Sequence, residues 1–104
     1  MKSKRTKACE IKPKVREAVE ERDGHCCIFC GSPNARGEAH FVGRAHGGLG
    51  IEQNIITACR HCHHELDNGK NRAVFIKFAE QYLKDHYENW NVSDLIYHKG
   101  FEYD

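Results

Sequence analysis

The chain has 104 residues, 39 % apolar and 30 % charged, and 16 lysines and arginines against 15 aspartates and glutamates leave a formal charge of only +1. One domain is the most that this length holds, and so short and polar a chain buries too little apolar surface to fold comfortably without a staple. Apolar runs such as Ala73 to Ile76 fall far short of the about 20 residues of a membrane helix, and no signal segment opens the chain, so a cytoplasmic protein with no membrane partner is expected.

Residues 1–12 read as a basic arm. The first 16 positions carry a local charge of +6, whereas 17–76 carry −2 and 77–104 carry −3. Such an arm either lies along phosphates or is a solvated, disordered terminus. The remainder, 13–104, reads as one domain. Pro13 suits the first turn of a helix running to about Asp23, with Val15, Ala18 and Val19 on one face and Gly24 as its stop. Cys27-Ile28-Phe29-Cys30-Gly31 is a two-cysteine knuckle, and Ser32 to Gly37 a turn or loop. Glu38 to Val42 is expected as a short strand, Gly43 to Gly50, with its four glycines, as an irregular loop, and Ile55 to Thr57 as a second β-prone segment. After Cys59-Arg60-His61-Cys62 a short helix is expected to carry His63 to about Asp67. From Arg72 to Glu88, Phe75, Ala79, Tyr82, Leu83 and His86 recur at helical spacing, which predicts a long amphipathic helix, with Trp90 and Leu95 pinning the tail.

Cys27, Cys30, Cys59 and Cys62 form two C-x2-C pairs with 28 residues between them, a spacing suited to one tetrahedral Zn²⁺ held by four thiolates. In a reducing compartment such pairs are ligands or redox groups rather than disulfides. A closed structural site of this kind contributes roughly 10 kcal/mol or more of folding energy, which would replace the missing core. The competing arrangements are a register using Cys26, a mixed site using His61 or His63, and a redox C-x-x-C, which would need a βαβ context that is absent from the pattern. Cys9 stands alone in the arm and reads as an idle thiol.

Between and just after the knuckles lie Ala39-His40-Phe41-Val42-Gly43-Arg44, Gly47-Gly48, Asn54 and Cys62-His63. In that order these motifs strongly resemble the HNH endonuclease family, also called His-Me finger or ββα-metal, in its bacteriophage-type form with a zinc knuckle. The resemblance runs from about Val15 to Asn68. It implies an α+β fold: a small zinc-stapled ββα-metal domain, two antiparallel strands and a helix around a catalytic cation, flanked by N- and C-terminal helices. It implies metal-dependent hydrolysis of DNA phosphodiester bonds, by nicking or double-strand cleavage, with DNA and the phage DNA-packaging terminase as partners and the bacterial host cell as the setting.

The residue chemistry suits those roles. Cutting a phosphodiester takes a base to deprotonate water and a cation to absorb charge on the phosphate and the leaving oxygen. His40 is the candidate base, because a neutral imidazole accepts a proton at physiological pH. By resemblance Asn54 holds the loop and orients the His40 backbone. His63 and Asp67, four apart, share one helix face and can reach a single Mg²⁺, Mn²⁺, Ni²⁺ or Zn²⁺; Asp67 alternatively reads as a helix-end carboxylate, and His64 as a second-best ligand. Arg44 can grip a phosphate bidentately, with Arg36, Arg60, Lys70 and Arg72 as weaker contacts. Many members of the family carry an acidic residue or a second histidine immediately before the base. Here that residue is Ala39, and Glu38 stands two before His40 on the same strand face. The rival reading is a non-catalytic zinc-stapled module that binds nucleic acid.

Overall fold

The computed structural model describes residues 2–101 and Tyr103. In chain order it contains α1 (Lys4–Cys9), α2 (Pro13–Arg22), β1 (Ala35–His40), β2 (Ile55–Cys59), α3 (Arg60–Asn68) and α4 (Arg72–His86), with 3-10 turns at 44–46, 52–54 and 92–95. The two strands pair antiparallel, and the helices pack around them in a small α+β fold.

Local chemistry accounts for the boundaries. The basic segment is helical, its first turn capped by the Ser3 hydroxyl, which accepts from the Thr6 N–H. Pro13 opens α2, where its missing N–H costs nothing, and Gly24 and His25 close it with left-handed φ of +68° and +57°. β1 starts at Ala35, three residues before the expected strand, and its ladder ends at His40 rather than Val42. Ala35 and Arg36 pair with Cys59 and Ala58, after which the register shifts before Ala39 meets Ile56. This bulge at Gly37–Glu38 takes one extra residue into the strand. The Gly37 N–H donates instead to Glu20 Oε2 at 2.9 Å, and a Cβ at Gly37 would stand 3.1 Å from the Arg16 carbonyl of α2. α3 begins at Arg60 because Cys59 caps it.

The core joins the inner face of the sheet (Ala39, Ile56, Ala58) to Leu66 of α3 and to Ala79 and Leu83 of α4. Phe75 and Tyr82 flank that face half-buried, whereas His86 is exposed, its ring 4.3 Å from that of Tyr82. The tail is pinned as expected. Trp90 meets Phe41 edge-on at 5.4 Å and donates to the Gln53 carbonyl at 2.7 Å, and buried Leu95 accepts from the Leu49 N–H at 2.7 Å.

One organising group carried no motif. Arg22 makes a two-pronged bond to Asp23 (2.7 and 2.9 Å) and also donates to the Glu52 and Ile55 carbonyls and to the Tyr87 hydroxyl. Asp23, whose side chain is fully buried, accepts in turn from the Thr57 N–H and the Tyr82 hydroxyl. The end of α2 is thereby tied to β2 and α4. Burial opposes the Asp23 carboxylate, but these donors outweigh it and hold its pKa below the ordinary carboxylate value. Replacing Arg22 by Ala strands a buried charge and is expected to lower the unfolding free energy by about 3–5 kcal/mol. Urea melts of the zinc-loaded protein check this; a change below about 1 kcal/mol, the worth of an exposed pair, would refute the organising role.

Candidate functional site

Two turns bring the four cysteines of the paired motifs together. In the first, the Gly31 N–H donates to the Cys27 carbonyl at 2.9 Å with Gly31 at φ +80°, a conformation that favours glycine, and the Cys27 N–H donates to the Ser32 carbonyl at 2.8 Å. In the second, Cys59 Sγ caps α3 by accepting from the Cys62 N–H. All four sulfurs lie within 4.8 Å of one another, and Cys30 Sγ and Cys59 Sγ are 3.7 Å apart. A tetrahedron with Zn–S bonds of about 2.3 Å has edges of about 3.8 Å, so the donor set fits a single zinc ion. The electrostatics agree. Burial works against a Cys27 thiolate, but the backbone N–H groups around it prevail and bring its pKa down to about 7. Burial and the neighbouring sulfurs push the Cys62 thiol well up. Four thiolates cannot share this space unless a cation compensates them. Cys26 stands outside the cluster, its thiol donating to the Gly24 carbonyl at 3.2 Å.

Beside the cluster, β1, α3, the 3-10 turn at 44–46 and the α1–α2 linker enclose a cleft of about 740 Å³ lined by His40, His63, Asp67 and Arg44. His40 Nε2 lies 2.9 Å from the Cys9 carbonyl at the end of α1. A carbonyl can only accept, so the neutral ring carries its proton on Nε2 and keeps Nδ1 as its basic nitrogen. Burial lowers the His40 pKa below its ordinary value, more than the Cys9 carbonyl raises it. Across the cleft, His63 Nε2 and Asp67 Oδ2 are 3.3 Å apart on adjacent turns of α3. Among the described residues no third histidine, cysteine or carboxylate joins this pair closely enough to make a three-donor group. Arg44 is exposed at the cleft rim, and its own carbonyl and that of Ala45 accept from Arg5.

The strand explains the missing acid before His40. Ala39 is fully buried in the core, so a carboxylate at that position would point away from the cleft into apolar surroundings. Glu38 does line the cleft, where it is paired with Arg16 at 2.8 Å. Asn54 is fully buried, and its amide oxygen accepts from the Val42 N–H at 2.8 Å while its nitrogen donates to the Val42 and Leu49 carbonyls. It therefore clamps the glycine loop two residues beyond His40 rather than bonding the His40 backbone itself. Gly48 is required there, because a Cβ would collide with the Val42 carbonyl. His46, Glu10 and Arg16, which no motif singles out, also line the cleft. His46 stands beside Arg44 before the Gly-Gly pair and could have been suspected; the Cys9 carbonyl has no residue signature at all.

The sequence matches no protein-family model, and neither a curated protein nor a solved structure is significantly similar to it. Among the described residues no helix is long and apolar enough to cross a membrane. The site is thus defined by its own chemistry. One zinc per chain is expected by elemental analysis, and Cys59→Ser or a strong chelator should abolish the cooperative thermal transition, since about 10 kcal/mol of metal binding is comparable to the whole stability of so small a domain. A fold retained without zinc would overturn the structural role of the cluster.

Proposed function

We propose that the chain is a metal-dependent endonuclease of the HNH, ββα-metal type that hydrolyses DNA. The observation that carries this reading is the joint placement, on one cleft, of a histidine with a fixed tautomer and a His–carboxylate pair. In this mechanism His40 accepts a proton from water at Nδ1, and its Nε2–H stays on the Cys9 carbonyl, which holds the ring in place during the transfer. His63 and Asp67 would hold a divalent cation between them. The cation, when bound, supplies charge compensation at the scissile phosphate and the leaving oxygen. Asn54 keeps the loop that follows His40 in register, and Arg44 at the rim is placed to engage a phosphate.

Nicking of supercoiled plasmid with Mg²⁺, Mn²⁺, Ni²⁺ or Zn²⁺ tests the assignment. His40→Ala should slow cleavage by about 100-fold or more, with the cysteine-bound zinc unchanged. Failure of the natural sequence with every ion, or equal cleavage by the variant, would leave the non-catalytic binding module in its place. The pH profile has a defined sign. The base must be neutral, and burial lowers its pKa, so the rate should hold as pH falls through about 6.5 and drop only below that value. A drop centred above about 7 would contradict a buried His40 as the base.

A further inference from the structure

A second groove of about 900 Å³ adjoins the cleft and shares Glu38, His63, Asp67 and Asn68 with it. The cleft side carries Arg44 and Arg72; the groove side carries Arg36 and Arg60. The charges along the two are unequally engaged. Every carboxylate lining them already has a partner within the chain: Glu10 with Lys2, Glu38 with Arg16, Asp67 with His63, and Glu20 with the Gly37 N–H. The four arginines are exposed and, among the described residues, their guanidinium groups make no hydrogen bond or ion pair. Two such guanidiniums therefore lie on each side of the His63–Asp67 pair, an arrangement that suits an extended polyanion better than one terminal phosphate.

We infer that the cleft and the groove form one continuous track that holds a nucleic-acid strand by its phosphates on both sides of the His63–Asp67 pair, with Arg44 and Arg72 on one arm and Arg36 and Arg60 on the other. The inference builds on the nuclease reading and adds which guanidiniums grip the strand on each side of the His63–Asp67 pair, through its backbone and without reading of its bases.

The test is salt-dependent binding of a fluorescently labelled DNA duplex to zinc-loaded protein carrying His40→Ala, so that binding is read without cleavage. Four phosphate contacts give a slope of log K against log salt of about −3.6, and each arm should account for about half of it. Arg44→Ala with Arg72→Ala and, separately, Arg36→Ala with Arg60→Ala should each reduce the slope to about −1.8, and the four together should abolish measurable binding. An arm whose removal leaves slope and affinity unchanged would overturn the track, as would equal binding by the fourfold variant. The substitutions are all at exposed side chains, and an unchanged melting temperature and zinc content establish that each variant is folded. Plasmid nicking by the natural sequence is scored separately: binding with both arms contributing but no cleavage would remove the nuclease reading and keep the track, whereas cleavage with a silent arm would do the reverse.

Discussion

The four-sulfur cluster is the constraint from which the geometry of the rest follows. It joins the turn after α2 to the junction of β2 and α3, segments about 30 residues apart in the sequence, and fixes where α3 starts and how it is rotated. Cys59 caps the helix, Cys62 lies in its first turn, and His63 is the next residue. Once Cys62 faces the cluster, helical geometry sends His63 about 100° further round, and Asp67 onto the same stripe one turn on. The histidine–carboxylate pair is therefore aimed by the sulfurs, even though it contacts none of them in the hydrogen-bond pattern. The apolar core is too lean for this task, since its fully buried side chains include only a handful larger than alanine.

Two buried polar groups do the remaining positioning, and they act differently. The Arg22–Asp23 pair ties three elements through charge-assisted bonds and is satisfied at nearly every donor and acceptor, which is the condition under which a buried ion pair repays its desolvation. Asn54 is neutral and works as a surrogate strand: its amide pairs with both backbone groups of Val42, so the ladder that ends at His40 continues for one more step through a side chain. The glycine loop can then leave the sheet without orphaned backbone groups, and Gly48 lets the Val42 carbonyl come close.

Much of this was legible in the residues, because spacing encodes it. The paired C-x2-C motifs, the helix opened by Pro13, and the apolar face of α4 follow from local periodicity and capping, and all are present. The start of β1 was not legible: Ala35 and Arg36 look like loop, and only pairing with Ala58 and Cys59 makes them strand, with a bulge no propensity announces. The Arg22–Asp23 group was hidden for the same reason, since two adjacent charges at a helix end ordinarily face water. In the cleft, His40, His63, Asp67 and Arg44 could be named from order and spacing, whereas the partner of His40 could not, being a backbone carbonyl from an element 31 residues away.

That partner also changes how the charge distribution is to be understood. A local charge of +6 over the first 16 residues invites the view that phosphate affinity resides there. In the folded chain part of that charge is spent internally: Arg5 donates to two carbonyls of the glycine loop, Lys2 pairs with Glu10, and Arg16 with Glu38. Helix α1, to which Arg5 belongs, buries Cys9 and presents its carbonyl to His40, so it behaves as a wall of the cleft and only secondarily as a cationic tail. Among the described residues, guanidiniums without internal partners lie instead on β1, on the loop after it, and at the first residues of α3 and α4, where sequence charge counts show nothing unusual. A net charge of +1 thus conceals a spatial separation between cations engaged inside the fold and those that, among the described residues, make no such contact.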